Sequence, residues 1–487
     1  MQYYVVEFSK YAIALLMGIY TLEAFFALGK KRDDEKNGVF VRQNVYMFLI
    51  QFLAYLSLCL QTGQIEYLFF YAFLQIALFS TIVLYQMIYP KCNRLLVNNM
   101  CMLLSIGFIM LTRLDYNKAI KQFFIVAVSL VVALIVPFFV HKLTFIKHLK
   151  WLYGVIGIAA LGIVLVLGQV TQGSKISYTI AGVTLQPSEF VKIVFVFFIA
   201  SLLYKKVTFA KAMEAAVFAA IHVLILVLSK DLGSAIIFFM GFMFMLLIAS
   251  RNYLYLIAGF ACGSGAAVVG YHLFSHVRVR VQAFLDPFSV IDNQGYQISQ
   301  SLFAIGSGQW FGMGLYQGAP SDIPFVESDF MFSAVAEELG GIFALCLILI
   351  CLNCFFAFLK VAMDLDDVFY RLVACGLAVM YIFQIFLTIG GGIKFIPLTG
   401  VTLPLVSYGG SSVLTTLLVF AIIQGLYMLR FTEIKMQEKA KMKMQKEVEK
   451  TRQREERAAK RKQILANNNK TGAKLKHEEE DYDFEEW

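Results

Sequence analysis

The sequence predicts an all-α fold, a polytopic transmembrane helical bundle of about thirteen spans. The 487 residues are 59% hydrophobic and 15% charged, with mean hydropathy +0.70, whereas a soluble domain is about half apolar and about a quarter charged. The apolar residues collect in runs near the ~20 residues needed to cross the hydrocarbon of a bilayer. Basic residues fall between those runs in an alternating pattern, which membrane insertion imposes and a soluble core does not.

The runs lie near residues 8–28, 42–61, 66–88, 95–113, 120–140, 150–169, 187–204, 212–229, 231–250, 253–273, 331–358, 371–390 and 406–429. The first has no basic leader and no small-residue cleavage site, so it reads as a retained span and not a signal peptide. One alternate set of connections carries Lys30, Lys31 and Arg32, then Lys91 and Arg94, then Lys142, Lys147 and Lys150, then Lys205, Lys206 and Lys211, then Arg251, then Lys360 and Arg371. That set, with the basic tail, is expected to be cytoplasmic. An odd number of spans then puts the N-terminus outside, together with the long connection 274–330.

The formal charge of +9 would raise nucleic acid as a partner in a soluble protein. Here the excess sits in loops and tail, so no nucleic acid is expected. Three parts are expected: N-terminal spans 1–90, a core 91–430 and a charged tail 431–487. The tail from Glu433 to Lys462 lacks Gly and Pro and reads as a solvated helix, either a plain surface extension or a segment that meets anionic headgroups or a cytoplasmic partner. Most of the eight cysteines lie inside apolar runs, and the lone Cys351-x-x-Cys354 has no second pair to complete a zinc set. No metal site and no disulfide framework follow.

Ionisable residues at membrane depth are costly and carry a partner or a function. In Leu185-Gln-Pro-Ser-Glu-Phe-Val-Lys192, Pro187 suits a first helical turn. Glu189 and Lys192 share a face and can pair; either the pair satisfies itself or Lys192 offers its charge to an anionic ligand. Asp231, in Lys230-Asp-Leu-Gly, can cap the next span.

The long connection begins with Val277-Arg-Val-Arg-Val281, which puts Arg278 and Arg280 on one face if extended. Gln297, Gln300 and Ser301 recur at helical spacing opposite Ile298, Leu302 and Ile305, the pattern of an amphipathic helix in the membrane interface. Glycines at 306, 308, 312, 314 and 318 allow tight turns or close approach of a ligand. Asp329 stands where this connection meets the next span, as a general base or merely an N-cap, and Glu337 lies deeper on the same helix. Residues 390–412 interrupt an apolar stretch with Gly, Pro and hydroxyls, and irregular backbone at that depth should line a cavity, with Lys394 reaching into it.

These segments, in this order, resemble the SEDS family of cell-wall proteins, the group of FtsW, RodA and SpoVE. The resemblance rests most on Pro397-Leu-Thr-Gly-Val-Thr-Leu-Pro404 followed by Ser407-Tyr-Gly-Gly-Ser-Ser412. Gln186-Pro-Ser-Glu189, Gly295-Tyr-Gln-Ile, Ala304-Ile-Gly-Ser-Gly308, Ser328-Asp-Phe and Ala336-Glu-Glu-Leu-Gly340 add to it. It covers roughly residues 95–430, the ten spans of that family, and leaves three extra N-terminal spans and the tail outside. The chain departs from the family at Lys175 and Ser177, at Ser229-Lys-Asp231 where Gln-Pro-Asp is usual, and at Glu327-Ser-Asp329 where His-Thr-Asp is usual.

The resemblance implies a peptidoglycan glycosyltransferase that joins lipid II units on the outer face of the bacterial cytoplasmic membrane, in division or shape maintenance. Asp329 stands at the family's catalytic acid. Lys192 is the expected cation for the diphosphate, with Lys394, Arg278 and Arg280 behind it, and Glu189, Gln297, Glu337 and Ser411 are expected beside the substrate. A single base opposite the leaving group would invert the anomeric centre. No cofactor is demanded by the residues, although a divalent cation, Mg or Mn, could share the diphosphate charge. A class B penicillin-binding protein transpeptidase and other divisome or elongasome membrane proteins are the implied partners. The rival readings are a lipid II flippase, in which Glu337 would matter more than Asp329, and a catalytically idle scaffold.

Overall fold

The computed structural model describes residues 2–29, 33–142, 144–171, 174–180 and 183–482; Lys30, Lys31 and Arg32 lie outside the described residues. Among the described residues twelve helices are long and apolar enough to cross a membrane. They are α1 (Gln2–Gly29), α2 (Asp33–Thr62), α3 (Glu66–Ile88), α4 (Arg94–Leu114), α5 (Tyr116–Lys142), α6 (Lys150–Leu167), α8 (Phe209–Leu228), α9 (Leu232–Ser250), α10 (Tyr253–Leu273), α13 (Met331–Met363), α14 (Val368–Gly392) and the first part of α15 (Gly410–Tyr482). The thirteenth expected run forms α7 (Pro187–Leu203), whose 17 residues fall just short of that length. Helix α7 is buried along most of its length between α6, α9 and α14.

Two features were not expected. Three short strands, β1 (Gln169–Thr171), β2 (Ser174–Ile180) and β3 (Val183–Leu185), form a small antiparallel sheet in the order β1-β2-β3. The Val277–Val281 run is helical and not extended: it lies in α11 (Ser275–Leu285). Two-residue spacing on a helix sends Arg278 and Arg280 to different faces, and Arg278 is not on the cavity wall that Arg280 reaches.

Helix α12 (Tyr296–Gly308) forms as expected but turns its small residues inward. Ser301 Oγ and Ser333 Oγ share a 2.6 Å hydrogen bond, and Ser301 Oγ donates to Gly392 O at 2.8 Å. A Cβ on Gly308 would collide with Ala336 O, so α12 packs tightly against α13.

Helix α13 is broken at Gly340, at φ +92. The segment after α12 is stitched into the break. Met313 N and Gly314 N donate to Glu337 O and Glu338 O, each at 2.9 Å, while Gly341 N and Ile342 N donate to Gln309 O and Trp310 O. Backbone groups beside the break thus find partners inside the protein, as the hydrocarbon region requires.

The structure divides into a compact unit, residues 1–429, and a second unit, residues 430–487. In the first, α1 packs on α13 and α2 on α4. Tyr20 OH donates to Asn99 Oδ1 at 3.1 Å, and Asn99 Nδ2 donates to Asn353 Oδ1 at 2.8 Å, a polar chain between helices. The second unit is helical to residue 482, with exposed charged side chains at 441–460.

Candidate active site

A cavity of about 500 Å³ opens between α11, the start of α12, the segment before α13 and the segment after α14. Arg280, Gln297, Asp329 and Gly400 border it, with Lys230 and Asp231 at the junction of α8 and α9. Gly400 has φ +72, and a Cβ there would stand 3.6 Å from Asp329 Oδ2 and 3.8 Å from Arg280 Nη2. The carboxylate and the guanidinium therefore flank one bare stretch of backbone. Arg280 Nη1 donates to Leu398 O at 3.0 Å, which holds the guanidinium at that wall.

Asp329 does not cap α13. The N-cap is Phe330, with no side-chain cap bond. Burial is the largest influence on Asp329 and pushes its carboxyl up from the usual range to about 6. A hydrogen bond from Ser328 and the charge of Arg280 oppose that rise, and the charge of Glu327 adds to it. A carboxyl poised near 6 is an effective base just above neutrality.

The backbone on either side of Asp329 is clamped by the irregular segment after α14. Ser407 Oγ donates to Ser328 O at 2.6 Å, and Tyr408 N donates to Glu327 O at 2.7 Å. Leu403 N donates to Ser407 Oγ at 3.1 Å and aims that hydroxyl. The Glu327 side chain pairs with Lys118 Nζ near the start of α5, and Lys118 also lies 3.6 Å from Asp115.

The other wall begins with Asp231. Its Oδ1 accepts from Ser234 N and caps α9, while its Oδ2 accepts from Ser188 Oγ at 3.0 Å and Gln186 Nε2 at 3.2 Å. Glu189 and Lys192 pair at 2.7 Å, and Lys192 Nζ donates to Gln384 Oε1 at 2.6 Å. Gln384 Nε2 in turn donates to Thr402 O and reaches Ser412 Oγ. This buried network ties α7 and α14 to the segment that clamps Asp329.

The expected site residues therefore separate. Arg280 and Gln297 border the cavity with Asp329. Lys192 and Glu189 stand behind it in the network. Arg278 is outside it, and Lys394 sits on the turn after α14 at φ +56, also off the cavity wall. Glu337 Oε1 accepts from Ala319 N at 2.9 Å, so this carboxylate secures the loop. Ser411 is buried in the first turn of α15, and its neighbour Ser412 bonds Thr402 at 2.7 Å. Sequence reasoning missed Lys118 and Gln384, whose partners are distant in the chain and carry no local signal. Among the described residues no group of three His, Cys, Asp or Glu side chains could hold a metal ion.

The family described as cell cycle protein, of FtsW, RodA and SpoVE, matches residues 93–430. Peptidoglycan glycosyltransferase RodA of Mycobacterium tuberculosis is 31% identical over 363 residues, 69% of this chain and 77% of that protein. Stage V sporulation protein E of Bacillus subtilis is 32% identical over 351 residues, 67% of this chain and 94% of that protein. Among solved structures, a chain from a peptidoglycan synthase complex that coordinates polymerization and crosslinking aligns with TM-score 0.61 and 24% identity, covering 70% of this chain and 98% of its own. The rod shape determining protein RodA of Thermus thermophilus aligns with TM-score 0.54 and 21% identity, covering 70% of this chain and 99% of its own. These two show a shared fold.

Proposed function

The chain belongs to the FtsW, RodA and SpoVE family of cell cycle proteins and is a multi-pass membrane peptidoglycan glycosyltransferase of cell shape or division; from that premise we propose that it polymerises lipid II with Asp329 as general base. The observation that carries this assignment is the cavity in which Asp329 and Arg280 flank the bare backbone at Gly400. One lipid II unit presents a sugar hydroxyl to Asp329. As its oxygen attacks the anomeric carbon of a second unit, the proton passes to the carboxylate. The bond from that carbon to the polyprenyl diphosphate breaks, and the diphosphate leaves with the electron pair. Attack opposite the leaving group inverts the anomeric centre.

Arg280 is the cation best placed to hold the diphosphate, and its planar fork suits that group. Lys230 and Gln297 border the same space. The Glu189, Lys192 and Gln384 network braces the segment after α14 through Thr402. Mg or Mn on the diphosphate would share its charge; the described residues do not form a three-ligand set of their own for it.

The bilayer is the bacterial cytoplasmic membrane in this proposal, with the N-terminus and the 274–330 connection outside and the tail inside. Residues 91–430 are the polymerase core, and 1–90 and 431–487 are additions to it. A class B penicillin-binding protein transpeptidase of the divisome or elongasome is the proposed partner. The test is polymerisation of lipid II by purified protein and by its Asp329→Asn variant. The variant should fold, bind lipid II and make no glycan. Long glycan from the variant would overturn the base assignment.

A further inference from the structure

The proposed reaction uses Asp329 and Arg280, yet a second carboxylate, Glu327, lies two residues before Asp329 in the chain. The charge of Glu327 reaches Asp329 and opposes its ionisation. Glu327 thus puts a second anion beside the base. The chain also supplies a cation for that anion: Lys118 Nζ pairs with Glu327 from the start of α5, 209 residues away in the chain.

Lys118 is held for this task. It lies 3.6 Å from Asp115 and 5.9 Å from the centre of the Tyr408 ring. Tyr408 N in turn donates to Glu327 O. The pair is only partly exposed, with side-chain accessibilities of 35% for Lys118 and 20% for Glu327, so water screens it incompletely.

We propose that Lys118 is a positioning residue for the glycosyl transfer: by pairing with Glu327 it screens Asp329 from a second carboxylate and holds the loop that carries the base. The inference rests on Asp329 being that base. The other charges around Asp329 are Arg280 from α11, with Lys230 and Asp231 on the same cavity wall from the α8–α9 junction. These three face the cavity, whereas Lys118 reaches Glu327 from α5, so the Lys118–Glu327 couple can be changed on its own.

The signs are opposite for the two partners. Lys118→Met leaves Glu327 uncompensated, disfavours the ionised form of Asp329, and moves the acid limb of kcat/KM to higher pH. Glu327→Gln removes the neighbouring anion and moves that limb to lower pH. Each displacement is about half a pH unit, because the Lys118–Glu327 pair is partly exposed to water, and should shrink at high salt.

The experiment is lipid II polymerisation by the full-length protein across pH, for Lys118→Met, Glu327→Gln, the double variant and Lys118→Arg. Opposite displacements in the two single variants are expected, with the double variant and Lys118→Arg close to the parent. A purely structural pair would lower activity in both single variants without moving the limbs apart, and that result overturns the proposal. If Asp329→Asn still polymerises, the base assignment fails instead. If Asp329→Asn is inactive while the limbs stay together, only the role of Lys118 falls.

Discussion

Gly312 and Gly340 meet backbone to backbone: a Cβ placed on Gly340 would collide with Gly312 N. The contact exists because the loop after α12 is threaded into the break in α13, and both glycines have positive φ there. Gly340→Ala adds a methyl group into main chain that cannot retreat, at a φ that L residues avoid. It should cost roughly 3 to 5 kcal/mol. Gly306, in the last turn of α12 with nothing within 4 Å of where a Cβ would stand, is the control, and Gly306→Ala should be neutral or slightly stabilising. Thermal unfolding in detergent compares the two.

Polymerisation should depend on the ionised form of Asp329. With its carboxyl near 6, kcat/KM should fall as pH drops through about 6 and level off above it. Because folding raises this group above its unfolded value, its contribution to stability is present below about pH 4 and is lost as pH rises through 6. Asp329→Asn should therefore abolish turnover at about pH 7.5, where the parent base is ionised, without lowering the unfolding temperature. A lowered unfolding temperature would give Asp329 a structural role.

Arg280 should act on both substrate and base. Arg280→Met should weaken lipid II binding by about tenfold or more. It should also move the acid limb to higher pH, since the guanidinium favours the Asp329 carboxylate. Arg280→Lys should keep part of the charge effect and lose the bidentate fit. The measurements are lipid II affinity and a pH–rate profile. Normal affinity in Arg280→Met would pass the diphosphate to Lys230.

The Glu189–Lys192 pair is buried on both sides. Lys192→Met should cost about 3 to 5 kcal/mol by leaving a buried carboxylate without its cation. Replacing both residues by apolar ones should recover much of that loss. A double-mutant cycle on unfolding temperature reads the coupling. Additive losses would show that the pair is not a coupled unit. Because Lys192 reaches the Thr402 segment through Gln384, its loss should also slow polymerisation.

The two termini should lie on opposite sides of the membrane, the C-terminus with the basic loops. A tag before residue 2 should be cleaved by external protease in intact cells, and one after residue 482 should be protected. Protection of both would change the span count by one.

Length and apolarity of a run are local properties, so the sequence by itself determined the helices, the membrane and the motif order. It also brought forward Asp329, Arg280 and Gln297, which all lie in or beside one connection. It left the conformation of Val277–Val281 open, because five residues of alternation are too few to decide between strand and helix, and the run is helical. It read the glycines at 306–318 as tight turns and close approach to a ligand; Gly312 and Gly314 do turn at positive φ, whereas Gly308 and Gly312 approach the backbone of α13. Only the tertiary structure decided which cation faces the base, which carboxylates are spent on the scaffold, and that Lys118 reaches Glu327. Those outcomes depend on how helices pack and on where a left-handed glycine lets the chain turn, and no periodicity along the sequence encodes a distance between residues hundreds of positions apart.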